Sequence, residues 1–251
     1  MKKILYLSPQ NVVPPVDGGK IGIYYPIKHL AKENKVFYAY IDSSVQDSNA
    51  DYERLGIEPH RCVLNTNDNI WMLIKNIGQT QPFKYQKYFD LDFLNRLIKL
   101  VQKEKIDLIY CSHVHMARYA IELKKYFSIK TILREHNIEY QLVKQFITFE
   151  NNVLKKLIAY WQYIKTYKYE RNCWSIFDKV LFISDNDFNE AKESSLNQLC
   201  NFSLIYDGFN VPEKKVIHNS LQVEKNSFLF SGSLHSFQNK INLKKLINLD
   251  F

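Results

Sequence analysis

Short apolar runs alternate with segments of helical period along most of this chain, and that alternation constrains the fold more than any other feature. The pattern is clearest after residue 105. Ile106–Cys111 is an apolar run of strand length, Met116–Tyr126 has helical spacing, and Lys130–Leu133 is a second short run. A helix-compatible segment from Asn151 to about Trp174 precedes a run at Asp178–Ser184. A helix capped by Ser184 or Asp185 then extends through Leu196, and Phe202–Tyr206 reads as one more strand. Strands separated by helices pair in parallel, and a parallel sheet is covered on both faces. The expected fold is α/β, a Rossmann-like parallel sheet with helices on both faces.

The amino-terminal part fits the same scheme. Lys3–Ser8 reads as a buried strand, followed by a loop over Pro9–Gly19. Ile21, Tyr24, Ile27, Leu30 and Ala31 then recur at helical spacing. Val36–Ile41 and the shorter Cys62–Leu64 are strand candidates; Ile70–Ile77 and Leu91–Val101 are helical ones. Residues 1–210 form the expected main domain. Residues 211–226 turn polar and read as a linker. The remaining 227–251 hold a strand at 227–232 and a helix from Asn239 to Leu249, read as the truncated start of a second Rossmann-like domain.

Charge and cysteines narrow the function classes. Thirty-four basic against 26 acidic residues give +8, but the lysines are dispersed, without the dense block of a nucleic-acid arm, so no nucleic-acid partner is expected. Anionic substrates remain compatible with that charge. Cys62, Cys111, Cys173 and Cys200 form no C-x-x-C pair, which leaves a cysteine zinc site unsupported and suits reduced thiols. The amino-terminal apolar run stops at Ser8 and Pro9, short of a signal peptide, and no run is long enough to span a bilayer. A cytoplasmic location is expected, with peripheral contact at the inner membrane face as an option for the helix that interleaves Tyr160, Trp161, Tyr163, Tyr167 and Tyr169 with lysines. Packing of those aromatics on the sheet is the preferred reading.

Three segments could carry chemistry. Asp17-Gly18-Gly19-Lys20-Ile21-Gly22 lies between the first strand and first helix, where glycines admit a ligand and a helix N-terminus offers free N–H groups to an anion. Its spacing matches neither G-x-G-x-x-G nor Walker A. Gly18 and Gly19 are expected to approach phosphate in a positive-φ turn, with Gly22, inside the helix, tolerant of alanine. His113 and His115 follow the Ile106–Cys111 strand; on a helix they would diverge by roughly 200°, which excludes a paired metal site. Arg134-Glu135-His136-Asn137-Ile138-Glu139 lies at another strand's carboxyl end, where ligands of open parallel sheets gather. It reads as a solvated loop or cleft wall in preference to metal ligation by His136 and Glu139.

In this order, the segments resemble the amino-terminal half of a GT-B glycosyltransferase of the retaining glycosyltransferase family 4. Lys3-Ile4-Leu5-Tyr6-Leu7-Ser8 with Pro14 and Gly18-Gly19 is similar to that family's first strand and glycine loop. Arg134-Glu135-His136-Asn137-Ile138-Glu139 resembles its H-N-x-E segment. Tyr169-Glu170-Arg171, followed by Asp178, Val180, Ser184 and Asp187, resembles its Y-E-R and D-x-V-x-x-x-S segments. Phe230-Ser231-Gly232-Ser233-Leu234 with Asn239 is similar to the opening of its donor-binding domain. The family's histidine five residues after the strand's aspartate is displaced here, since Ser112 holds that position and His113 follows it.

The resemblance implies transfer of a sugar from a nucleotide-sugar donor to a glycan or lipid-linked acceptor with retention, without metal or cofactor. Gly18 and Gly19 would contact the donor phosphates, and His113, His136, Asn137 and Glu139 would line the acceptor cleft. The family's E-x7-E motif belongs to a second domain, so this chain is expected to be inactive by itself. The competing expectation is a non-catalytic Rossmann-like binding module.

Overall fold

A computed structural model describes residues 1–44, 49–67, 70–195, 200–208, 230, 232, 234 and 237–247. The strands are β1 (Lys3–Ser8), β2 (Lys35–Asp42), β3 (Ile57–Val63), β4 (Leu108–Ser112), β5 (Lys130–Glu135), β6 (Lys179–Phe182) and β7 (Phe202–Leu204). The helices are α1 (Gly18–Leu30), α2 (Asn49–Glu53), α3 (Ile70–Lys75), α4 (Phe83–Gln86), α5 (Leu91–Glu104), α6 (Ala117–Tyr126), α7 (Glu139–Phe149), α8 (Val153–Ile176), α9 (Asp185–Ser194) and α10 (Phe237–Ile247). The chain divides into two compact units, Met1–Phe209 and Asn210–Phe251. The linker expected at 211–226 lies outside the described residues, as do the carboxyl end of the helix drawn to Leu196 and most of the strand expected at 227–232. In the second unit, α10 is the described secondary structure.

The first unit carries one sheet in the order β3-β2-β1-β4-β5-β6-β7, every neighbouring pair parallel. Side chains alternate across a strand, so β1 and β2 sort their residues onto two faces. Tyr6, Val36, Tyr38 and Tyr40 face α1, where Ile23 and Ile27 cover them together with Tyr52. Leu5, Leu7, Phe37 and Ala39 point the other way, against Phe93, Leu97 and Val101 of α5 and Ala120 and Leu123 of α6. With helices on both faces, the strands read as unbroken apolar runs. This is the Rossmann-like α/β fold expected from the alternation.

Several boundaries differ for identifiable reasons. β3 extends over Ile57–Val63 although Pro59 lies within it, because β3 pairs on one side only and the missing proline N–H faces no neighbour. β5 runs through Arg134 and Glu135, two charged residues that periodicity had placed in a loop. The helix expected from Met116 begins at Ala117, after one 3₁₀ turn at Val114–Met116. α7 lay hidden because its amino-terminal partner, Glu170, is thirty residues away in sequence.

Candidate functional site

The strand order reverses between β1 and β4, and at such a switch point the connections leave in opposite directions and open a crevice at the strands' carboxyl ends. Buried tyrosines hold the loop after β1 in place. Tyr38 Oη donates to the Gln10 carbonyl at 2.8 Å. Tyr52 Oη donates to Asn11 Oδ1 at 2.6 Å and accepts the Val12 amide at 3.0 Å. Gln10 and Asn11, thus fixed, border a cleft of about 600 Å³ with Lys20, Asp42, Ser44 and Asp51 on its other walls. Polar groups dominate this wall, which suits a hydroxyl-rich ligand better than an apolar one. No reading of the sequence had singled out Gln10 or Asn11; their signal was position, immediately after the first strand.

Gly18 and Gly19 form the exposed first turn of α1, capped by Asp17, whose carboxylate accepts the Lys20 amide at 2.9 Å. Both are helical, which corrects the expected positive-φ turn: an N-terminal helical turn needs no left-handed residue. A Cβ on Gly18 would meet nothing within 4 Å, and one on Gly19 would make ordinary contacts with Asp17 and Gln10.

Of the three glycines in this segment, Gly22 is the one closely packed by other side chains. A Cβ there would lie 3.0 Å from Asp207 Oδ2 and 3.4 Å from His136 Cε1, so alanine, expected to be mild at this position, requires the Asp207 carboxylate to shift. The buried Arg134 guanidinium donates to the Gly22 carbonyl at 3.0 Å and pairs with the Asp207 carboxylate. α1, β5 and the segment after β7 are thereby joined at one point.

His136 is buried beside this junction, its Nε2 2.9 Å from Ser112 Oγ and its ring stacked on His113 with centroids 3.9 Å apart. Burial, with the neighbouring His113 and Arg134, holds the His136 imidazole far below the usual histidine range, so it is neutral. Arg134, Glu135, His136 and Glu139 are all buried, and Asn137 alone among the residues 134–139 is exposed. The solvated loop expected here is thus corrected: β5 carries its polar residues into the fold, where Arg134 pairs with Asp207 and Glu139 with Lys84.

His113 and His115 also depart from expectation. His113 has φ 74 and ψ 139, outside the helical region, and its amide donates to the Arg134 carbonyl at 2.9 Å. Helical divergence therefore does not apply, and the two rings lie 5.9 Å apart. One ligand atom from each of His113, His115 and Glu139 falls within 4.8 Å of the others. His115 is buried edge-on to Tyr85 and Tyr88. Burial lowers both imidazoles well below the histidine range, with His115 also acting on His113 and Lys84 acting on both. Glu139 is buried under Lys84, whose Nζ lies 2.5 Å from Oε2.

Behind the histidines, Glu135 and Glu170 join two of the motif segments. Glu170 accepts the amides of Glu139 and Tyr140 at 2.8 Å each and so satisfies the free N–H groups that open α7. Glu135 Oε1 accepts the indole N–H of Trp174 at 3.0 Å. Burial pushes the Glu135 carboxyl up to about 8, against the Trp174 hydrogen bond and with help from the Glu139 charge.

No family model matches the chain, and no curated protein matches it in sequence. In structure it is similar to sucrose-phosphate synthase from Thermosynechococcus elongatus, with a TM-score of 0.55 and 12% identity over 84% of this chain and 49% of that one. It is also similar to Anabaena HepE, solved in complex with UDP and glucose, with a TM-score of 0.50 and 11% identity over 84% of this chain and 45% of that one. At such identities the likeness is one of fold: the Rossmann-like architecture found in GT-B glycosyltransferases. The chain spans about half the length of these two proteins.

Proposed function

We propose that residues 1–210 are the acceptor-side domain of a GT-B glycosyltransferase of the retaining family 4 type. The reaction is transfer of a sugar from a nucleotide-sugar donor to a glycan or lipid-linked acceptor. Residues 211–226 would link this domain to the start of a second, donor-binding one at 227–251. The observation that carries the reading is Lys20, in the first turn of α1 beside Gly18 and Gly19, on the border of a polar cleft formed by the loops after β1, β2 and β3. Support also comes from the fold shared with half of a protein solved with UDP and glucose.

In this reading the donor diphosphate approaches the first turn of α1. Free amides and the positive end of the helix dipole attract anions there, and the absence of side chains at Gly18 and Gly19 lets oxygen atoms close in. Asp17 already satisfies the Lys20 amide, so the remaining first-turn amides and the Lys20 ammonium do the holding. The stacked, neutral His113 and His136 form an uncharged wall of the acceptor side, with Asn137 exposed beside them and Glu139 behind, under Lys84. A neutral imidazole can accept or donate a hydrogen bond to a sugar hydroxyl.

The test reads binding. Calorimetric titration of the full chain with UDP and with uridine should show the diphosphate binding more tightly. Gly19→Val should weaken UDP at least about tenfold, a loss of roughly 1.4 kcal/mol, with Tm nearly unchanged because the position is exposed and a Cβ there makes ordinary contacts with the Asp17 and Gln10 side chains. Equal affinity for UDP and uridine, or Gly19→Val binding like the parent, would sink the phosphate assignment and favour a binding module for something else.

A second reading, peripheral membrane contact, rests on α8. Its carboxyl half packs as expected, with Trp174 buried and Tyr163, Tyr167 and Tyr169 against the core. Its amino half does not: Val153, Leu157, Tyr160 and Ile164 recur on one face and stay exposed, Val153 to 72%. Exposed Lys155 and Lys156 lie alongside. Apolar residues at helical spacing beside lysines suit the boundary of an anionic bilayer. No helix among the described residues is long and apolar enough to cross a membrane.

A further inference from the structure

We propose that His113, His115 and Glu139 form a binding site for a divalent transition metal of the zinc class. The sugar-transfer reading implies no metal and uses His113 and Glu139 only as a wall of the acceptor side, so an ion held there is an addition to that reading. Two imidazoles and one carboxylate are a donor set that zinc takes readily, with a fourth position left for water. In this chain they come from two segments that the sheet brings together, the turn after β4 and the start of α7. One potential ligand atom from each lies within 4.8 Å of the other two. Ligands at about 2.1 Å from a tetrahedral zinc stand roughly 3.4 Å apart, so the three need to close by at most about 1.4 Å, which side-chain rotation can supply.

Two independent observations point to a ligand at this place. His115 is 8% exposed, and its buried Nδ1 has no hydrogen-bond partner. A buried ring nitrogen left in that state is costly, and a metal would satisfy its lone pair. The second is the backbone of His113, whose φ of 74 lies where non-glycine residues are uncommon. In this conformation its ring stacks on His136 and lies 5.9 Å from that of His115. Strained backbone concentrates at sites where the geometry serves a ligand. His113 is the partly exposed member of the three and gives an ion its way in.

Lys84 qualifies the site. Its ammonium lies 2.5 Å from Glu139 Oε2, so a cation must take the other carboxylate oxygen or displace the lysine. Lys84 is therefore a competitor, and its removal should strengthen metal binding. A purely structural cluster would lose its ion pair and gain nothing.

The experiment uses the full chain, freed of metal by chelation and titrated with Co²⁺ as a visible probe and with Zn²⁺ as its displacer. A saturable, equimolar cobalt spectrum that Zn²⁺ abolishes is expected. His113→Gln and Glu139→Gln should each weaken Co²⁺ at least about tenfold, Lys84→Met should tighten it, and His29→Gln, an exposed histidine elsewhere, should leave it unchanged. Circular dichroism establishes that each variant is folded; His115 is left intact because it is packed in the core. Absence of a saturable spectrum overturns the proposal. So does a spectrum that His113→Gln and Glu139→Gln leave as it was.

Discussion

Gly22 and Asp207, 185 residues apart in sequence, approach so closely that a methyl group on the glycine would stand 3.0 Å from the aspartate carboxylate. The contact is fixed from a third side, since Arg134 bonds the Gly22 carbonyl and pairs with Asp207. Gly22→Ala should therefore cost about 1–2 kcal/mol, or roughly 2–8 °C in Tm for a chain of this size. Gly18→Ala, with nothing within 4 Å, should be neutral or slightly stabilising, because alanine has the higher helix propensity. In an Asp207→Ala background the cost of Gly22→Ala should shrink, and equal costs in both backgrounds would show that the carboxylate is not what the methyl meets.

The buried, neutral histidines link stability to acidity. The folded-state value of His136 lies below the ordinary one, so the unfolded chain takes up a proton that the folded chain refuses. That stability is present above about pH 6.5 and lost as pH falls. His136→Gln should destabilise at about pH 7.5, and its penalty in Tm should be smaller at about pH 5.5. A penalty independent of pH would mean that His136 titrates in the fold as it does in the unfolded chain.

Glu135 works in the opposite direction. Its value is raised to about 8, so the stability tied to its protonated form is complete below the ordinary carboxylate range and is lost as pH rises through 8. Glu135→Gln should gain Tm relative to the parent as pH rises from about 5 to about 8.5. Chemical denaturation at the two ends of that range gives the same comparison free of buffer heat effects. A constant difference would place a partner cation beside Glu135.

Membrane contact through α8 makes a separable prediction. Vesicles of phosphatidylcholine with about a third phosphatidylglycerol should retain the parent chain in a flotation assay, and Leu154→Ser with Leu157→Ser should reduce retention several-fold. Both residues are exposed, so Tm should hardly change. Retention unaffected by the pair would leave the face without a lipid role.

What the sequence determined by itself was the layered architecture. Apolar runs such as Ile4–Leu7 and Ile109–Cys111 are too short for helices and lack the polar alternation of half-exposed strands. Helical periods between them leave a parallel sheet as the one arrangement that buries them all. A local signal also narrowed one helix cap to Ser184 or Asp185, of which Ser184 holds it, because a cap is a relation between residues three apart. The site was legible only as a set of segments. Periodicity placed His113 and His115 on diverging faces and Arg134–Glu139 in solvent. The tertiary structure decided otherwise, because the partners that reverse both readings come from afar: the Arg134 carbonyl for the His113 amide, Asp207 for Arg134, Glu170 for the start of α7. A buried charge or an unfavourable φ is tolerated only when a distant group compensates it, and spacing along one chain carries no record of that group.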